Sequence, residues 1–210
     1  MNWLQEPILV FDVETTGLRD PIRVVQLSLL RYEMDKSWSE MEAWVNLCSP
    51  SDGVVIEPGA TLVHGITMEM VRGKPTLEQL MDGILAILCR HNVFMAYNGL
   101  SFDLPLLRAA FKRSKSRKDF PAIESRTIDP LPFSRALYPG ARGCKLGQMA
   151  ARLSINSRRA HEALSDCMTA AEVMTRMAVI HELPNDLDAI LNLQDRYQKK
   201  WEEMKRSNRG

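Results

Sequence analysis

Ile8-Leu9-Val10-Phe11-Asp12-Val13-Glu14-Thr15-Thr16-Gly17 decides how the rest of the chain is read. Four apolar residues in succession, Ile8 to Phe11, predict a buried strand. Asp12 and Glu14 follow at i and i+2, and alternate residues of a strand share a face. The strand therefore presents two carboxylates side by side. Like charges so close are costly away from water unless a cation lies between them. Hard divalent ions such as Mg²⁺ and Mn²⁺ prefer carboxylate oxygens. The pair alone leaves two readings, acids that face solvent or acids that ligate an ion. Thr15, Thr16 and Gly17 end the strand in a turn whose backbone N–H groups would lie near that edge.

The remaining composition sets bounds. The chain has 210 residues, of which 45% are hydrophobic and 25% charged, enough for one sizeable core in a water-facing protein. No apolar run reaches the roughly 20 residues of a membrane span. Met1 to Pro7 has neither the basic start nor the apolar run of a signal peptide. Cys48, Cys89, Cys144 and Cys167 show no C-x-x-C pairing. They are expected as reduced, mostly core thiols, which fits a cytoplasmic location and no zinc site. A net charge of +1 excludes polyanion capture by overall field and leaves it to local patches or metal.

Outward from the first strand, Arg23–Leu30 and Glu42–Leu47 predict two further strands, joined by polar turns into an antiparallel set. Pro58 opens a short helix, and Thr67 caps a second one that runs to Val71. Thr76 and Gln79 have capping-box spacing. Leu77, Leu80, Met81, Ile84, Leu85 and Leu88 then give one apolar helical face. Val93–Tyr97 reads as a buried strand, Asn98-Gly99 as a turn, and Ser101 as the N-cap of a helix carrying Leu106, Leu107, Ala110 and Phe111. Asp103 falls in its first turn, where the helix dipole favours a carboxylate. Lys112–Lys118 is the densest basic run, read as a solvated loop with nucleic-acid contact as the alternative. Ser125–Asp129 is a further candidate strand. Leu146–Leu153 and Ala163–Ile180 predict helices, the second with Asp166 on the row of Ala170, Val173 and Met177. His161 and Asp166 are about 140° apart on an ideal helix, so they meet only if His161 lies on the preceding loop. From Asp186 onward, Leu187, Ile190, Leu191, Tyr197, Trp201 and Met204 mark a C-terminal helix that docks on the domain or serves a partner.

Three motifs in order carry a resemblance: Phe11-Asp12-Val13-Glu14-Thr15-Thr16-Gly17, Asn98-Gly99-Leu100-Ser101-Phe102-Asp103, and His161-Glu162-Ala163-Leu164-Ser165-Asp166. Together they resemble the DEDDh group of DnaQ-like 3′–5′ exonucleases, with Val63-His64-Gly65-Ile66-Thr67 as a softer match. The histidine stands five before Asp166, as in that group; the sister group has tyrosine four before, where this chain has Glu162. Asp129-Pro130-Leu131 replaces the family's usual Asp-Thr-Leu.

The resemblance implies an α/β, RNase H-like fold: a mixed central β-sheet, its first three strands antiparallel, flanked by α-helices. It implies an exonuclease domain at residues 1–182 with a C-terminal helical tail at 183–210. Asp12, Glu14, Asp103 and Asp166 would hold two divalent ions, Mg²⁺ or Mn²⁺, with His161 as general base. Two ions about 3.5–4 Å apart stabilise both the attacking and the leaving oxygen of a phosphodiester displacement. Thr15, Leu18, His64 and Phe102 would contact the terminal nucleotides. The expected activity is release of nucleoside 5′-monophosphates from a single-stranded DNA 3′ end. RNA ends or short oligoribonucleotides are the alternative substrate, and a catalytically silent tethering module is the non-enzyme alternative. The chain holds no polymerase domain, so a proofreading role would need a partner, a polymerase or another protein, met through the C-terminal helix.

Overall fold

The computed structural model describes residues 1–139, 143–155 and 163–207. Its strands are β1 (Ile8–Thr15), β2 (Val24–Tyr32), β3 (Glu42–Leu47), β4 (Val93–Met95) and β5 (Thr127–Ile128). They form one sheet in the order β3-β2-β1-β4-β5. β1 pairs antiparallel with β2 and β2 with β3, whereas β1–β4 and β4–β5 are parallel. This is the mixed sheet expected from the sequence.

Alternation along β1 divides the core in two. Ile8 and Val10 pack with Leu30, Val93, Met95 and Ile128 on one face, under α7 (Ala163–Ile180). Leu9, Phe11 and Val13 enter the opposite core, against α3 (Leu77–Leu88) and α4 (Asp103–Arg113). Burial of both faces explains the unbroken apolar run at Ile8–Phe11. A smaller cluster of Val25, Ile56, Ile66 and Val71 seats α1 (Pro58–His64) and α2 (Met68–Val71) beside β2.

Helix starts follow local chemistry where side-chain caps exist. Thr67 accepts from Met70 N–H, and Thr76 with Gln79 forms the expected capping box on α3. Ser101 is a correction: it is exposed and caps nothing, and α4 begins two residues later at Asp103. The backbone of the preceding turn does the capping. Asn98, at a φ of 62°, offers its carbonyl to the N–H groups of Ser101 and Phe102, and Gly99 offers its own to Leu104. Gly99 also has no room for a side chain, since a Cβ there would lie 2.1 Å from that of Ala96.

The strand expected over Val93–Tyr97 closes at Met95, and the one expected over Ser125–Asp129 shrinks to Thr127–Ile128. Residues Glu124–Arg126 form a 3₁₀ turn, and Asp129 leaves the strand to cap α5 (Pro130–Leu137) through Leu131 N–H. Pro130 sits in the first turn of α5, where no N–H is needed, so the departure from Asp-Thr-Leu is accommodated there. α6 (Leu146–Arg152) then packs against α7.

α8 (Leu187–Ser207) docks on the open edge of β5 and on α5. Its Gln194, 3% exposed, acts as a substitute neighbouring strand. The side-chain oxygen accepts Asp129 N–H at 2.7 Å, and the amide donates to the Thr127 carbonyl at 3.3 Å. Those two groups face outward from β5 and would otherwise be buried unpaired. The start of α8 is stitched to the N-terminus by Leu187 N–H to Met1 O and by the Met1 ammonium to Asp186 at 2.9 Å. Gln194→Leu keeps the volume but orphans both edge groups, so it should lower unfolding stability by about 1–3 kcal/mol. Urea denaturation reads this directly, and an unchanged midpoint would refute the edge-pairing role.

Candidate active site

The parity that sends Ile8 and Val10 under α7 carries Asp12 and Glu14 to the same face at the C-terminal end of β1. α7 crosses that face and brings Asp166 in its first turn, anchored by the buried row Ala170, Val173 and Met177. Cys167, fully buried beside it, lies 3.8 Å from the carbonyls of Val10 and Ser28 and fixes the helix against both strands. One oxygen each from Asp12, Glu14 and Asp166 then lies within 4.8 Å of the others. Residues 154 positions apart in sequence so share one point in space.

Asp103 arrives differently. It opens α4 just past β4, is 4% exposed, and its Oδ1 accepts Val13 N–H at 3.0 Å. That bond ties α4 to β1 between the two strand acids. The three-oxygen group does not include Asp103, but the Asp103 charge bears on both Asp12 and Glu14. Asp129, buried and bonded to Asn98 N–H at 2.8 Å and Leu131 N–H at 2.9 Å, adds a fifth acid behind Asp103.

Burial and mutual repulsion govern the protonation of these groups. Burial pushes the Asp12 carboxyl well above the usual range, and Asp103, Asp166 and Glu14 push it further. Glu14 is raised to about 8, by burial first and then by Asp166 and Asp103. Burial raises Asp103 to about 7 against the opposing pull of the Val13 N–H. Asp129 is lifted by burial to about 6. Neither Asp12 nor Glu14 forms a salt bridge with lysine or arginine among the described residues. Convergent hard oxygens that are charged only at a cost fit a divalent cation.

The other residues singled out from sequence fall as follows. The Thr15 hydroxyl donates to Gly17 O at 3.1 Å, and the Thr15 carbonyl lies 3.1 Å from His64 Nε2. Ile66 N–H donates to His64 Nδ1 at 3.0 Å, which puts the proton of the neutral ring on Nε2, facing Thr15. His64 thus clamps α1 to the end of β1. Gly17 has a φ of 144°, and a Cβ there would meet the Glu57 side chain at 2.4 Å, so only glycine fits this turn. Leu18, next in the chain, is 79% exposed and is not core. Phe102 is half-buried at the rim of the α4-side core. His161 lies outside the described residues. The basic run folds back on α3: Arg113 pairs with Glu78 at 2.8 Å, and Ser116 and Lys118 bond to Asp82. Sequence reasoning did not single out Asp129 as a buried acid of this region; its place directly after an expected strand, as with Asp103, was the available signal.

The pKa directions give a stability signature. A carboxyl whose pKa is raised on folding stabilises the fold at acid pH, and that contribution fades as pH climbs from about 4.5 through about 8 for Glu14. In EDTA the melting temperature should therefore fall between pH 5 and pH 8. Millimolar Mg²⁺ or Mn²⁺ should restore it more at pH 8 than at pH 5. Asp12→Asn should flatten the metal-free profile. A melting temperature independent of pH in EDTA would contradict the buried repulsion.

Comparison with known proteins gives the same picture. The profile of the RNase T family, described as exonuclease, matches residues 9–174. The chain is 27% identical over 175 residues to a PolC-type DNA polymerase III of Caldanaerobacter subterraneus subsp. tengcongensis, covering 83% of this chain and 12% of that protein. A PolC-type DNA polymerase III of Streptococcus suis is 29% identical over 202 residues, covering 91% and 13%. The chain thus spans about an eighth of the length of these relatives. Among solved structures, exonuclease X in complex with 5′-overhanging duplex DNA superposes with a TM-score of 0.64 at 21% identity, over 88% of this chain and 98% of that one. The zinc-bound exonuclease I–single-stranded DNA complex from E. coli gives 0.67 at 23%, over 86% and 42%. With an acidic cluster at the end of its central strand and the family profile along most of its length, the chain belongs to the RNase T family of DnaQ-like exonucleases.

Proposed function

We propose that the protein is a 3′–5′ exonuclease that shortens single-stranded DNA and releases nucleoside 5′-monophosphates. The observation that carries this reading is the meeting of Asp12, Glu14 and Asp166 within 4.8 Å. DNA as substrate is supported by the kinship with PolC-type polymerases and by the DNA held in the exonuclease I and X complexes. The catalytic unit is residues 1–182, with 183–210 as an appended helical segment. A polymerase or another protein met through that segment is the partner this kinship favours. No helix among the described residues is long and apolar enough to cross a membrane, and a cytoplasmic location goes with a DNA substrate.

Asp12, Glu14 and Asp166 would hold the divalent ions, with Asp103 supporting them from the start of α4. When bound, Mg²⁺ or Mn²⁺ would supply Lewis-acid stabilisation of the phosphate oxygens and a more acidic water. His161, the family's general base, takes the proton of the attacking water. The new P–O bond forms as the bond to the penultimate 3′-oxygen breaks, leaving a free 3′-hydroxyl on the shortened strand. The backbone of Thr15, the last residue of β1, would touch the terminal 3′-hydroxyl. Leu18, exposed just past the turn that follows β1, and Phe102, at the rim of the α4-side core, would bracket the last bases, with His64 fixing the end of β1.

Digestion of 5′-labelled DNA and RNA strands with Mg²⁺, Mn²⁺ or EDTA tests the proposal. Attack from the 3′ end gives a descending ladder that EDTA abolishes, and immediate appearance of labelled mononucleotide would reverse the polarity. Asp12→Ala should abolish the ladder. His161→Asn should lower kcat by about 10²–10⁴-fold. Full activity in Asp12→Ala would sink the assignment.

A further inference from the structure

A cavity of about 600 Å³ is lined by Tyr97, Leu131, Arg135, Lys145, Leu146 and Trp201 among others. Its place relative to the acids follows from strand register. β1 and β4 are parallel with Val10 opposite Met95. Tyr97 follows Met95 as Asp12 follows Val10, two residues on and on the α7 side, where Tyr97 packs with that core. The cavity therefore sits at the same end and face of the sheet as the carboxylates, displaced toward β4 and β5. His64 and Thr15 flank the acids from the opposite, β2 side.

The walls are built from three elements. Tyr97 is held by its hydroxyl to Ser134 at 3.1 Å and to the Cys144 carbonyl. Arg135, on α5, places its guanidinium carbon 3.7 Å from the centroid of Trp201, on α8. Lys205, one turn after Trp201, brings its ammonium to 4.8 Å from the same ring. An edge-on pair of Phe133 and Tyr197, centroids 5.7 Å apart, fixes α8 on α5 one turn earlier. No acidic side chain lines the cavity, and Arg135, Lys145 and Lys205 make no salt bridge among the described residues. The buried Asp129 carboxyl acts on Arg135 from behind but does not line the cavity, and cations gathered round aromatic planes match a base linked to a phosphate. The volume is that of a small-ligand site. α8 also lies beyond the residues that the family profile matches.

We infer that this cavity is an upstream subsite: it holds a nucleotide of the substrate strand on the 5′ side of the scissile bond. The base stacks on the planes offered by Trp201 and Arg135, and the phosphate sits among Arg135, Lys145 and Lys205. The inference rests on the exonuclease reading above. It gives the C-terminal helix a direct part in gripping DNA and makes long strands better substrates than dinucleotides, which do not reach the cavity.

The test compares kcat/KM for a ten-nucleotide oligothymidylate and for a thymidine dinucleotide, with Mn²⁺, in the full chain. Wild type should favour the longer strand. Trp201→Ala should shrink that preference about tenfold through KM, Trp201→Phe should retain it, and Lys145→Ala should weaken it and make it less salt-dependent. Thermal melts of each variant accompany the kinetics. If Trp201→Ala lowers the melting temperature yet keeps the length preference, Trp201 only pins α8 and the subsite is overturned. A wild type that hydrolyses oligothymidylates without length preference overturns it too, while leaving the exonuclease reading intact. If wild type hydrolyses neither substrate, both fail.

Discussion

Repulsion among buried carboxylates is the constraint on which the rest of the structure depends. Asp12 and Glu14 leave the core on one face of β1, and Asp166 and Asp103 are packed toward them by two different helices. Burial and the neighbouring acids both oppose the ionisation of Asp12 and Glu14 there. The apolar surroundings supply what holds it: α7 lies on β1 and β2 through Cys167, Ala170 and Val173, and α4 is tied to β1 through the Val13 N–H. Stability is thus set against function at one point of the molecule, as is common where a site must be poised before its ligand arrives.

Packing on both faces of the sheet makes this possible. α3 and α4 cover one face and α7 the other, so β1 cannot tilt or slip by a residue without exchanging Phe11 and Val13 for Asp12 and Glu14. Register therefore carries chemical information here. The same register sets Tyr97 at the acid-bearing end and face of the sheet, and the helix that closes the edge of β5 through Gln194 brings Trp201 to the cavity that Tyr97 lines. One docking event serves both the unpaired strand edge and the aromatic-cationic cavity.

Much of this was legible from residues in order. Thr76 and Gln79 announce α3 because a capping box is local chemistry, satisfied within four residues. Ser101 misled for the complementary reason: the αL turn at Asn98 had already supplied backbone acceptors, a choice that depends on how β4 ends. Val93 to Tyr97 read as continuous strand because burial and pairing give the same apolar signal, although the strand closes at Met95. The basic run illustrates a further limit. Lys112–Lys118 reads as a solvated loop with nucleic-acid contact as the alternative, and spacing does not reveal that Glu78 and Asp82 on α3 bond to Arg113, Ser116 and Lys118.

The chain by itself determined the order of elements, the face of β1 that bears acids, and the family, because these rest on alternation, helical period and short motifs. Only the tertiary structure decided which acids share a point. It assigned Asp12, Glu14 and Asp166 to one triplet and held Asp103 to Val13, and it set Trp201 against Arg135 across 66 positions of sequence. The physical reason is that side-chain proximity between distant segments follows from how helices seat on the two faces of a sheet, and no local spacing encodes that seating.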